Sequence, residues 1–103
     1  MPFSQMVPHT LSPMGVRAYA PIASGVYGIS NASEWLYIGE SDNIQIALQH
    51  YLQDAAASVI ERRPTGFVFE VCDSATRVAR QNRLVSEYEP AGNRAGSRER
   101  SAR

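Results

Sequence analysis

Nothing constrains the fold of this chain more than the stretch from Gly25 to Asn43. Two short apolar runs, Val26 to Ile29 and Trp35 to Ile38, flank the polar turn formers Ser30, Asn31 and Ser33. β-Branched and aromatic runs around a Ser/Asn-rich break predict two antiparallel strands of a hairpin. Side chains alternate along a strand, so Tyr27 and Ile29 are expected on one face and Val26, Gly28 and Ser30 on the other. In the second strand, alternation groups Trp35, Tyr37 and Gly39 against Leu36 and Ile38. Each strand then carries a central tyrosine with a glycine nearby. Glycine weakens a strand interior, and its presence marks a place where something approaches the backbone closely. Taken by spacing alone, the two tyrosines are ordinary strand aromatics.

The remaining periodicities extend this hairpin into a domain. Ser41, Asp42 and Asn43 offer helix caps, and Asp42 with Gln45 fits a capping box. Ile44, Leu48, Tyr51, Leu52, Ala55 and Val59 then recur at helical spacing, predicting an amphipathic helix from about Asn43 to Val59. Pro64, Thr65 and Gly66 break the chain. Phe67 to Cys72 alternates as a third strand, with Phe67, Phe69 and Val71 on one face. Asp73 or Ser74 caps a last helix over residues 75–87, striped by Val78, Leu84 and Val85 and stopped by Pro90. The expected class is α+β, a small three-stranded antiparallel sheet flanked by helices. Residues 1–24 hold Pro2, Pro8, Pro13 and Pro21 without a sustained period. They predict an extended leader, docked in part through Val7, Leu11, Val16 and Tyr19. Residues 25–91 form the domain, and the Arg/Ser/Gly/Ala-rich residues 92–103 read as a disordered tail.

Gly25-Val26-Tyr27, nine residues, then Tyr37-Ile38-Gly39 resembles the paired signature of the GIY-YIG nuclease superfamily. Asn43-Ile44 is similar to the Asn-Leu pair that opens that family's first helix. Tyr88-Glu89-Pro90-Ala91-Gly92-Asn93 is similar to its closing Tyr-x-Pro-x-x-Asn. The resemblance runs from Gly25 to Asn93 and implies a three-stranded antiparallel sheet flanked by helices. It also implies tyrosines beside a scissile phosphate, a helix arginine on that phosphate, and a glutamate holding one divalent cation. A hard cation such as magnesium wants an anionic oxygen, and a guanidinium fork fits a phosphate bidentately.

Carried over residue by residue, Tyr27 and Tyr37 match the family's tyrosines as catalytic positions. The arginine position falls on Ala47 and the metal glutamate on Gln81, so both charged members are expected to be missing. Gly39, Asn43, Arg77, Arg80 and Asn93 are the expected substrate contacts, and no protein metal ligand is assigned. Gln81 stands out without the resemblance, because it is expected on a helix side with Val78, Leu84, Val85 and Tyr88 and its amide needs a partner there. That partner is either a former metal site or the protein's own backbone. Glu40, Glu70, Glu87 and Glu89 are the carboxylates near enough in sequence to stand in. His50 lies one residue before the place where many family members carry histidine, which Tyr51 occupies.

Composition narrows the function classes. The chain has 103 residues and no formal net charge, and all ten of its basic residues are arginine. Four of them lie between Arg94 and Arg103, so the tail is basic and the preceding part slightly acidic. One cysteine, Cys72, allows no internal disulfide and reads as a small buried hydrophobe in a reducing cytoplasm. With two histidines and one cysteine, a zinc site is not expected. No apolar run is long enough to span a membrane, and no secretory signal is evident. Three readings follow. One is a catalytically impaired nuclease-like domain, without a cofactor, that binds nucleic acid or a protein. Another is a magnesium- or manganese-dependent DNA endonuclease using Glu40, other arginines or a partner subunit. The third is a protein-interaction module.

Overall fold

The structure, a computed structural model, describes residues 7–32, 34–54 and 64–90. The expected helix over residues 55–59, Asn93 and the basic tail lie outside the described residues.

The described residues form β1 (His9–Thr10), α1 (Pro13–Tyr19), β2 (Gly25–Ser30), β3 (Trp35–Ser41), α2 (Ile44–Asp54), β4 (Gly66–Val71) and α3 (Ser74–Tyr88). Every strand pair is antiparallel, in the order β1-β4-β2-β3. The class is α+β as expected, with one strand more. The hairpin of β2 and β3 sits at one side of the sheet, so β3 is an edge strand. β4 completes the pairing of β2 on the other side.

Two cores follow from the alternation of the sheet. Tyr27, Ile29, Leu36 and Phe67 pack under α1 and α2 through Val16, Ala20, Ile44 and Leu48. Val26, Ile38 and Val68 pack on the opposite face under Leu84 of α3. In β2 the expected alternation of Val26 against Tyr27 and Ile29 is found. In β3 it fails at one point. Ile29 pairs with Tyr37 but Ser30 pairs with Trp35, leaving Leu36 as the extra residue of a β-bulge. The bulge reverses the alternation. Trp35 therefore packs with Ile38 and Tyr88 on the α3 side, while Leu36 and Tyr37 share the α2 side.

The leader also differs from expectation. Over residues 9–20 it is a strand and a helix rather than an extended segment. Ser12 caps α1, its Oγ accepting from Gly15 N at 3.0 Å, and Pro13 begins the helix where a missing N–H costs nothing. Leu11 and Val16 are buried as expected, whereas Val7 and Tyr19 are exposed. The leader also completes α2. Ile44 N donates to Ala23 O at 2.9 Å and Gln45 N to Pro21 O at 3.1 Å. Amides that a helix start otherwise leaves open are thus closed by the chain itself.

The capping box of Asp42 and Gln45 is not the arrangement found. Asn43 Oδ1 accepts from Ile46 N at 3.1 Å, so Asn43 is the cap. Gln45 Nε2 instead donates to Ala20 O at 3.1 Å, tying α2 to the end of α1. The stripe of α3 is corrected too. Val78 is 52% exposed, and the side facing the sheet runs through Arg77, Gln81, Leu84 and Tyr88. Asp73 caps the helix through Thr76 N at 3.0 Å.

Candidate active site

Tyr27 and Tyr37 lie on the same sheet face because each strand directs them under α2. Their ring centroids are 6.2 Å apart, and Tyr51 of α2 lies 6.0 Å from Tyr37. Three phenols therefore form one cluster, with Ala47 packed against the same core one helical turn before Tyr51. Tyr51 is the member that sequence reasoning left out of the site. Its signal was the four-residue spacing from Ala47, which puts both on one helix face.

Gly39 accounts for the fit. Any Cβ there would fall against the Tyr27 hydroxyl and 2.9 Å from Tyr37 Cε2. The close approach that this glycine marks is thus made by the domain's own ring. Asn43, expected as a substrate contact, serves as the α2 cap.

Burial, then the neighbouring Tyr37, Glu40 and Tyr51, raises the Tyr27 pKa well above the ordinary phenol value. Burial and Tyr37 push Tyr51 up to about 12. Both phenols are therefore protonated at neutral pH and can donate a hydrogen bond, but neither is poised as a base. Tyr51 Oη is buried and makes no hydrogen bond among the described residues. Removing an unpartnered buried hydroxyl relieves its desolvation penalty. Tyr51→Phe is accordingly expected to raise stability by about 1 kcal/mol at pH 7. The folded phenol keeps its proton above pH 10, where the unfolded chain releases one, so stability falls as pH climbs from 10 towards 12. Urea denaturation at pH 7 and pH 11 checks both points, with a shallower alkaline loss in the variant.

The charged residues pair with one another between α3 and the sheet. Arg77 Nε meets Glu40 Oε1 at 2.5 Å, and its Nη1 donates to Ser24 Oγ at 3.0 Å. Arg80 grips Glu70 bidentately, at 2.7 and 2.8 Å. That contact, together with its charge, raises the Arg80 pKa above the ordinary value. The structure thus places Arg77 and Arg80, expected as phosphate contacts, in internal ion pairs between α3 and the sheet. Glu40 is close enough to act on the Tyr27 phenol, yet its carboxylate is held by Arg77. Gln81 Nε2 donates to Ile38 O at 3.1 Å on the edge strand. Among the described residues no three His, Cys, Asp or Glu side chains gather as a metal-holding group. No helix among them is long and apolar enough to cross a membrane.

No family model matches the chain, and no curated protein matches it. Solved structures do. The GIY-YIG N-terminal endonuclease domain of UvrC from Thermotoga maritima, bound to its catalytic divalent cation magnesium, superposes with a TM-score of 0.64. The two are 22% identical, over 75% of this chain and 93% of that one. A point mutant of the same domain, also bound to its catalytic divalent cation, gives a TM-score of 0.63 at 20% identity, covering 75% and 92%. At such identities the likeness speaks for the fold, and the fold of this chain is that of the GIY-YIG endonuclease domains.

Proposed function

We propose that this chain is a GIY-YIG-fold domain that binds nucleic acid without hydrolysing it. The observation that carries this reading is the hydrogen bond from Gln81 to the Ile38 carbonyl. At the position matched to the metal-holding glutamate stands a neutral amide already committed to backbone. A carboxamide lacks the negative charge that a hard dication needs in a one-carboxylate site. Glu40, whose charge reaches Tyr27, is paired with Arg77. These residues do not fit a resident divalent cation, and no metal step is assigned to them. Ala47 offers nothing to a phosphate. Each missing charge-stabilising group costs on the order of a hundred- to a thousand-fold in rate, so two leave little above background.

Binding survives that loss more easily than chemistry does. Arg17 and Arg83 are exposed, and the tail brings four further arginines. The domain is expected to retain labelled DNA at low salt and release it as salt rises. Deleting residues 93–103 should lower the salt slope by about 0.7–0.9 for each phosphate that the tail neutralises. Absence of retention at low salt, for single-stranded, duplex and branched DNA alike, would overturn the nucleic-acid reading in favour of a protein-interaction module.

One observation favours a second reading, a magnesium- or manganese-dependent endonuclease. The Glu40 carboxylate acts on Tyr27 and carries a guanidinium with it. In that reading Glu40→Gln abolishes a metal-dependent cleavage that the parent displays.

A further inference from the structure

We propose that the outer face of α1 is a contact surface for single-stranded nucleic acid, with Tyr19 stacking an unpaired base and Arg17 taking a neighbouring phosphate. The inference rests on the nucleic-acid reading above and names the substrate class for it.

The leader docks an aromatic column onto the sheet. Tyr19 stacks on His9 with centroids 4.7 Å apart and planes 10° from parallel. His9 lies 5.9 Å from Phe69 at 19°, and Phe69 is the cross-strand neighbour of Tyr27. One ring face of Tyr19 is thus held by the protein, while the residue remains 57% exposed. A ring fixed from beneath and open above loses little freedom when a base settles on it. This is the arrangement by which single strands are held without sequence preference.

Arg17 stands two residues before Tyr19, on the side turned to α2. There it lines a cleft of about 260 Å³ with Pro13, Gln49, Leu52 and Gln53. Its guanidinium is exposed, unlike those of Arg77 and Arg80. The exposed surface of α1 between Arg17 and Tyr19 carries Met14 and Ala18 and no carboxylate. No acidic residue precedes Glu34 in the chain, so β1 and α1 themselves carry no carboxylate. Met14 is 81% and Ile22 75% exposed, which would also suit a protein partner. Arg17, across the exposed surface of α1 from that open ring, favours the polyanion. Duplex DNA hides its base faces, so the ring discriminates for unpaired strands.

The test measures anisotropy of a labelled oligothymidylate and of a duplex of equal length, with the full chain and its variants. Tyr19→Ala is expected to weaken single-strand binding roughly 5- to 150-fold while duplex binding holds. Tyr19→Trp should retain affinity. Tyr19→Leu, which keeps apolar cover over His9 without a ring face, should behave as Tyr19→Ala, and equal circular-dichroism melts separate contact from folding. Arg17→Ala should lower the salt slope on the single strand by about 0.7. Unchanged single-strand affinity in a folded Tyr19→Leu overturns the proposal while leaving the broader binding reading intact. Binding of neither DNA overturns both. Self-association abolished by Met14→Glu, with oligothymidylate binding untouched, assigns the face to a protein contact and likewise overturns it.

Discussion

Ala47→Arg combined with Gln81→Glu is expected to yield magnesium-dependent DNA cleavage at least about 10⁴-fold above the parent chain. The figure follows from two groups, each of which contributes on the order of a hundred-fold or more when aimed at developing phosphoryl charge. Position 47 shares the α2 face of Tyr51, beside Tyr37, so a guanidinium there enters the phenol cluster. Position 81 faces the Ile38 carbonyl. A carboxylate cannot donate to that oxygen, and two facing oxygens repel unless a cation comes between them. Gln81→Glu alone should therefore melt lower than the parent in a chelator and recover stability when magnesium is added, by mass action on the folded state. Cleavage in the double variant, read together with that thermal shift, checks the assignment. If magnesium shifts no melting temperature and no product forms, positions 47 and 81 are not the missing groups.

Gly25→Ala is expected to destabilise the domain by about 3 kcal/mol, the upper range for forced overpacking. Gly25 pairs with Ser41 on β3 and Val71 on β4, at the point where the start of α2 crosses the sheet. A Cβ there would strike the Glu70 carbonyl oxygen and come 2.9 Å from Ile44 Cδ1 and 3.0 Å from Val71 Cα. The first and last are backbone atoms of a paired strand, which have no rotamer by which to withdraw. Relief requires parting β2 from β4. For a domain of this size such a loss lowers the melting temperature by roughly 10–20 °C. Gly39→Ala is the informative comparison. Its Cβ meets the far end of the Tyr27 side chain, which can turn, so a smaller cost of about 1–2 kcal/mol is expected, with displacement of the phenol. Calorimetry on both variants measures the difference.

What the sequence made legible was set by local rules. The hairpin, the opposition of Val26 to Tyr27 and Ile29 in β2, the capping of α3 by Asp73 and its end before Pro90 all follow from alternation, caps and proline. The bulge at Leu36 did not, because an extra residue leaves no mark in composition while it reverses every face beyond it. The leader concealed a seven-residue helix, too short for a periodic signal. Ser12 followed by Pro13 was the clue, a cap and a first-turn proline in sequence. The ion pairs were out of reach of spacing. Glu40 lies thirty-seven residues from Arg77, and only the crossing of α3 over the sheet brings them together. Gln81 was readable as a polar residue on a buried stripe that needed a partner, and the fold supplied one in the backbone of the edge strand.

The proposed non-hydrolysing reading rests on Ala47 and Gln81 standing where charged groups are expected. The decisive experiment incubates the purified chain with labelled single-stranded, duplex and branched DNA in magnesium or manganese, against a chelator control. Bound but intact DNA is expected in every lane. Metal-dependent products that disappear in Tyr37→Phe would overturn the non-hydrolysing reading.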